Sequence, residues 1–192
     1  MQRLQSVNPE TAQGRTKELL DTVHQAFGVV PNAAKVMANS PAVLSSFIGF
    51  TTALADSKID TKLQNQVKLI TSENNDCDYC TSILSATAPA AGMSATDVLT
   101  GRTGQSEDAR IKSALTFAND VLESRGKVSD AQLAAVRDAG FDDAEIVEIV
   151  ASVVHGCFTN FLNNVADTEL DIPQAEPVVT AESCHSGTCS AR

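Results

Sequence analysis

The sequence predicts an all-α fold, a compact bundle of about eight helices at ordinary helix lengths. Three observations predict it. Apolar residues recur at three- and four-residue spacing nearly throughout, and no alternating run holds up as a strand. Packing must come from alanine, leucine and valine, since aromatics make up 4% of the chain and tryptophan is absent; that composition suits close-packed helices. Capping signals punctuate the chain at helix-length intervals. With 192 residues and 43% hydrophobic content, the chain is long enough for one domain with a real core, expected over residues 1–173.

In "RTKELLDTVHQAFG", Leu19, Leu20, Val23 and Phe27 share helical spacing and Gly28 can end the helix. "VVPNAAKVMANSP" reads as a short helix between prolines. Ser40 and Pro41 then stand as N-cap and first helical residue of the next helix. Asp60 can cap "TKLQNQVKLITSENN", in which Leu63, Val67 and Ile70 form one stripe. A further helix is expected from about Asp78 to Ala91, disturbed by Pro89 and closed by Gly92. Ser94 opens a capping box. "GRTGQSED", residues 101–108, is the best internal break. After it, Ile111, Leu115, Ala118 and Leu122 mark a long helix ending at Gly126. Ser129 and Gln132 make a second capping box, and that helix stops at Gly140. The longest stripe follows: Ile146, Ile149, Val150, Val153, Val154, Phe158, Phe161 and Leu162. From Pro173 onward periodicity is lost, and residues 174–192 are expected to form a disordered tail.

The formal net charge is −10 with no basic block. Such a surface repels nucleic acid and anionic membrane, so neither is an expected partner. The first twenty residues lack the apolar core of a signal peptide, and no apolar run approaches the ~18 residues that span a bilayer. A cytoplasmic location is the expectation.

The chemistry concentrates in "SENNDCDYCTSILSA", residues 72–86. Cys77 and Cys80 lie three positions apart and can meet on one helical face. With Asn75 or Asp76 as N-cap, Cys77 falls in or near the first turn, where unpaired N–H groups lower a thiol pKa and raise the thiolate fraction. Three readings compete: a redox pair, two small core residues, and half of a zinc site completed by Cys184, His185 and Cys189 of "SCHSGTC". Helix-end placement favours the redox pair; a disulfide within the tail is the simpler reading of its own two cysteines.

The stretch "SENNDCDYCTSILSATAPAAGMS", with its Cys-x-Tyr-Cys core, resembles the central motif of the alkylhydroperoxidase D-like and carboxymuconolactone decarboxylase-like superfamily. "FTNFLNNVADTELDIP" resembles the C-terminal helix of its peroxidase-related branch. Together the matches span roughly residues 15–173. The resemblance implies an all-α homo-oligomer, commonly a trimer or hexamer, that reduces hydroperoxides by thiol chemistry. It makes Cys80 the attacking thiolate and Cys77 the resolving one. An external dithiol restores the pair, and no cofactor or metal is expected.

Two positions depart from the family. Its relay has a His four residues after the second cysteine, in reach of the thiol as base; here that position is Leu84. Its orienting Glu, twelve residues before the first cysteine, is here Asn65. General acid–base help is worth ~10²–10⁴ in rate, so an attenuated peroxidase is implied. Glu73, His155 and Tyr79 are the candidate auxiliaries: a carboxylate four residues before Cys77, a histidine on the last apolar helix, and a phenol able to donate to a bound peroxide. Each has a plainer reading, as a solvated helix-end carboxylate, a hydrogen-bonded core histidine and a packing aromatic. Cys157 reads as a small core residue and His24 as a surface one. Asn160, Asn163, Asn164, Thr168 and Asp171 match the C-terminal signature and read as structural or interface groups. Two alternatives stand beside the peroxidase: a non-catalytic oligomeric scaffold of the same fold, linked to oxidative stress, and a decarboxylase of a small lactone acid. The cysteine pair and the lack of a basic carboxylate clamp weigh against the decarboxylase.

Overall fold

A computed structural model describes residues 1–178. Among them are nine α-helices, one 3₁₀ turn and no strand, so the all-α expectation holds. The helices are α1 (Gly14–Phe27), α2 (Asn32–Met37), α3 (Pro41–Leu54), α4 (Thr61–Asn74), α5 (Asp78–Thr87), α6 (Ala95–Thr103), α7 (Ala109–Ser124), α8 (Asp130–Asp138) and α9 (Asp143–Ala166).

The caps read from the sequence are in place. Ser40 accepts from Val43 N–H with Pro41 behind it, and Asp60 accepts from Leu63 N–H. Ser94–Asp97 and Ser129–Gln132 form reciprocal boxes. A third box, Asp142–Glu145, starts α9. Each satisfies backbone donors that no intrahelical carbonyl can reach. Pro89 ends α5 as expected: Ala88–Ala91 tightens into a 3₁₀ turn, and Gly92 closes it with a left-handed φ of 71°.

Helix α4 is the hub, flanked by α9, α6, α7 and α5. Two glycines let its neighbours come close. A Cβ on Gly101 of α6 would lie 2.9 Å from Gln66 Cα, and one on Gly156 of α9 would lie 2.9 Å from Thr71 Cγ2. Gly101 is therefore a contact residue within α6, and the internal break is shorter than the sequence suggested, beginning after Thr103. The main core joins α4, α7, α8 and α9 through Val67, Leu115, Ala118 and Ile149. A second cluster joins α1, α2 and α3 through Leu20, Met37 and Leu44.

Two apolar stripes divide on folding. Phe27 is exposed at the end of α1, beyond the buried Leu19, Leu20 and Val23. In α9, Ile146, Ile149 and Val153 are buried, whereas Val154, Phe158 and Phe161 face out with Val147 and Val165. Helix α9 is also long and apolar enough to cross a membrane, by length and composition. Here it packs on five other helices and buries Ser152, His155, Asn160 and Asn163, which is the environment of a core helix.

The chain beyond α9 does not leave the body at Pro173. Ala175 N–H donates to Ser82 Oγ at 2.9 Å, and Arg102 donates to Glu176 O at 2.7 Å. Cys184, His185 and Cys189 lie outside the described residues.

Candidate functional site

The site begins where α4 stops. Asn75 caps α4, and Asp76 turns left-handed at φ 48°, a conformation that Asn and Asp tolerate better than most residues. The turn brings Cys77 N–H onto Ser72 O at 3.0 Å. Cys77 is itself the N-cap of α5, a role the sequence reading gave to Asn75 or Asp76. Its Sγ accepts from Cys80 N–H at 3.3 Å.

Cys77 and Cys80 are joined as a disulfide with Cα atoms 5.3 Å apart, inside the ordinary range for such a bond. Both are buried, at 1% and 3% exposure, among Tyr79, Ala33 and Ile83. The start of α5 offers unpaired backbone donors and the positive end of the helix dipole, so a thiolate there is favoured over one in a plain apolar pocket.

Helix α9 supplies the second half. Asn163 Nδ2 donates to Cys80 Sγ at 3.3 Å. Thr168 Oγ1 donates to Asn163 Oδ1 at 2.8 Å, fixing which end of the amide meets the sulfur. One turn back, Asn160 donates to Ser72 Oγ at 3.0 Å and accepts from Asn75 at 2.9 Å. Asn164 donates to Asn75 O at 2.8 Å. Asn75 also lies 3.6 Å from Cys157 Sγ; burial pushes that thiol's pKa up. This amide ladder ties the α4–α5 corner to α9. The sequence reading made Asn163 structural; the structure puts it on the sulfur. The signal was present as amides spaced 160, 163, 164 on an otherwise apolar helix.

Tyr79 packs in the same buried cluster as the two cysteines, and its hydroxyl is engaged elsewhere. Its hydroxyl donates to Asp171 Oδ1 at 2.8 Å and accepts from Ala33 N–H at 3.2 Å. Burial, opposed by the hydrogen bond from Ala33 and reinforced by the Asp171 carboxylate, raises its pKa. Asp171 also accepts from Asn32 N–H at 2.7 Å. Tyr79 thus pins the segment after α9 to the start of α2, and its hydroxyl is not free to meet a substrate.

The other auxiliaries are also elsewhere. Glu73 does not share a helical face with Cys77, because Asp76 interrupts the helix; its carboxylate pairs with Arg102. His155 touches neither cysteine. Its Nε2 meets Thr51 Oγ1 at 2.9 Å. That hydroxyl donates to Phe47 O, so Nε2 carries the proton and Nδ1 is an unpartnered acceptor. At 6% exposure between the Phe47 and Phe50 rings, the imidazole is neutral. Burial, helped by the Lys68 charge, lowers its pKa to about 4.

Neither departed relay position carries an acid or a base. Leu84 lies against Leu69, Ala88 and Met93, an apolar cluster separate from the thiols. Asn65 is half-buried on α4, a full turn and more from Ser72. Among the described residues no group of three or more His, Cys, Asp or Glu could hold a metal ion. Beside the site, a surface groove of ≈ 580 Å³ is lined by Ile83, Asp171, Ile172, Val30, Lys35 and His24.

An all-helical bundle with a Cys-x-x-Cys pair at the start of a buried helix defines a class by fold. Solved structures with this architecture include a peroxidase-related protein with an alkylhydroperoxidase AhpD core from Ralstonia eutropha. It is 20% identical, with 88% of this chain and 92% of that chain covered and a TM-score of 0.78. A peroxidase-related protein from a Silicibacter species is 19% identical over 88% and 94%, with a TM-score of 0.74. A variant of the debrominase Bmp8 bound to 2,3,4-tribromopyrrole is 20% identical over 89% and 93%, with a TM-score of 0.76. The fold is therefore the alkylhydroperoxidase D-like fold. No family model matches the sequence, and no curated protein does.

Proposed function

We propose that this protein is a thiol-dependent hydroperoxide reductase of attenuated activity. The observation that carries the reading is the pairing of two buried cysteines, one capping a helix and the other receiving the Asn163 amide. Cys80 thiolate attacks the peroxide oxygen and the O–O bond breaks. An alcohol leaves with a proton, and Cys80 becomes a sulfenic acid. Cys77 thiolate then attacks that sulfur, the hydroxyl group leaves as water with a proton taken from solvent, and the disulfide forms. An external dithiol returns two electrons and two protons. Asn163 and the α5 N-terminus supply donors to the thiolates, which supports the nucleophilic half of the reaction. Proton delivery is the weak half, because Leu84 and Asn65 offer no acid or base.

A peroxide assay with a dithiol reductant, on the chain as given and on Cys77→Ser and Cys80→Ser, tests the reading. Undiminished peroxide consumption in Cys80→Ser overturns it. The attenuation has its own test: Asn65→Glu with Leu84→His raises turnover if the relay is what is missing. If that pair of changes gives a folded protein with unchanged turnover, the relay account is lost.

The exposed side chains of Val147, Val154, Phe158, Phe161 and Val165 recur along one side of α9. They support self-association of the chain, as the resemblance implies; light scattering of the purified protein checks it. A reducing, cytoplasmic compartment fits a pair that must be recycled by dithiol.

A further inference from the structure

Cys77 and Cys80 are both almost fully buried, yet an exchange partner must bring a sulfur into contact with the S–S bond. Part of the wall around them therefore has to move. The groove beside the site marks where. Ile83 lines that groove and also packs on the Cys77, Tyr79 and Cys80 cluster, so a single side chain separates groove from cluster at that point. Ala33 packs on the same cluster and stands two residues past Pro31, another lining residue of the groove. Residues 28–33, which carry Ala33 into place, connect α1 to the start of α2. Gly28 turns left-handed there at φ 73°, and Val29 is exposed. One carboxylate clasps this segment to α5. Asp171 Oδ2 accepts from Asn32 N–H at 2.7 Å, and Oδ1 accepts from the Tyr79 hydroxyl at 2.8 Å. Ala33 N–H donates to that same hydroxyl at 3.2 Å, and Asn32 Nδ2 donates to Glu169 O at 2.9 Å. The strap that carries Asp171 is itself held, at Ala175 by Ser82 and at Glu176 by Arg102. Hydrogen bonds to an ionised acceptor are the strong ones, so the clasp is firm but made through few atoms.

We propose that residues 28–33 form a gate over the cysteine pair, that the Asp171 carboxylate is its latch, and that small reactants reach the sulfurs from the groove beside Ile83 when the gate opens. The inference rests on Cys77–Cys80 being the redox pair proposed above. The far side of α2 stays anchored, because Ala34, Met37 and Ala38 belong to the core shared with α1 and α3. Opening therefore asks for movement of the connecting segment and the first residues of α2, not for release of the whole helix. Asp171 and Tyr79 are positioning residues in this scheme: they hold Ala33 over the pair and take no part in bond exchange. Local opening of this kind needs less free energy than global unfolding, and the rate of a reaction that requires it scales with the open population.

The test follows reduction of Cys77–Cys80 by dithiothreitol in the oxidised full chain, by peptide mapping after acid quench, so that no peroxide chemistry is needed. Dithiothreitol gives the pair two electrons and two protons and leaves as its own cyclic disulfide. Asp171→Asn keeps the shape of the latch, removes its charge and turns an NH2 group toward one of the two donors. It is expected to speed reduction ~10-fold or more. Tyr79→Phe keeps the ring and loses the shared hydroxyl, and is expected to act in the same direction. In both variants the Asn32 and Ala33 amides should exchange with deuterium faster, while the amides of α7 keep their protection. Ile83→Ala thins the wall without touching the latch, so reduction should quicken with exchange at Asn32 and Ala33 unchanged. Val136→Ala, a core change in α8, serves as the comparison for lost stability. Equal reduction rates in Asp171→Asn, Tyr79→Phe and the chain as given overturn the inference. So does a gain no larger than Val136→Ala gives at the same loss of stability, since the sulfurs are then reached by global unfolding. Faster reduction without faster exchange at Asn32 and Ala33 overturns the gate, and no gain in Ile83→Ala overturns the groove as the route. The two readings fail separately. A latch that controls reduction, without peroxide consumption, removes only the peroxidase. Peroxide turnover with a reduction rate indifferent to Asp171 and Tyr79 removes only the gate.

Discussion

Helix α9 buries polar side chains at two places, and they are treated differently. Near its C-terminal end, Asn160 and Asn163 have partners for both ends of their amides: Ser72 and Asn75 for one, Cys80 and Thr168 for the other. Two turns earlier, His155 has one nitrogen on Thr51 and the other on nothing. The first region is a satisfied network that holds a sulfur in place. The second is a neutral histidine kept among phenyl rings beside a half-buried lysine. The difference teaches that the groups able to titrate on this helix are not the groups that meet the thiols. Here the thiols are served by amides, which donate without changing charge.

Removing the sulfur is the strongest way to break the comparison. Cys80→Ser is expected to abolish both the intrachain disulfide and dithiol-dependent peroxide consumption, read by thiol titration and a peroxide assay. Next in size is the response of the histidine to acid. Burial lowers the His155 pKa to about 4 in the folded chain, below the 6.5 of an exposed imidazole. The unfolded chain therefore binds more protons between these values, and stability falls as pH drops through that window. The loss reaches about 3 kcal/mol by pH 4. Denaturant melts from pH 7 to 4 should show this slope, and His155→Leu should flatten it without altering the pH profile of thiol alkylation.

Asn163→Leu tests the amide side. It removes the donor to Cys80, and a lost hydrogen bond to a charged group costs roughly 1.5–3 kcal/mol. The rate of Cys80 alkylation at neutral pH should fall at least ~10-fold, with its pH midpoint displaced upward. A midpoint that stays put would mean that the α5 terminus alone sets the thiolate. The smallest expected effect is Lys68→Met. Burial lowers this lysine's pKa to about 8, and its charge is the lesser cause of the His155 shift. The substitution should raise the His155 midpoint slightly in an NMR titration, still leaving it below 6.5, because burial remains.

Local features of the fold were legible in the sequence. Ser40–Pro41, Asp60, Ser94 and Ser129 act within four residues of themselves, so their roles follow from spacing. The cysteine pair was legible for the same reason. What spacing could not give is partnership across the chain. Asn163 meets a sulfur 83 residues away, and Tyr79 meets Asp171 across 92. Glu73 is drawn off to Arg102, and only the backbone at Asp76 tells that it no longer lines up with Cys77. The apolar stripe of α9 misled in another way. Periodicity identifies a helix with apolar residues on most sides, but not which of those sides the same chain covers.

The cap of α5 is a sulfur, and that has a consequence for observation. An ordinary N-cap oxygen accepts with constant strength, whereas Cys77 Sγ, which accepts from Cys80 N–H in the disulfide, would change its strength as an acceptor if the pair were reduced to thiol or thiolate. Fraying of the first turn of α5 is thereby linked to electron count. The Cys80 amide should exchange with solvent deuterium most slowly when Cys77 is a thiolate, the strongest acceptor of the three. A single backbone proton would then follow the oxidation state of the pair without any reagent touching it.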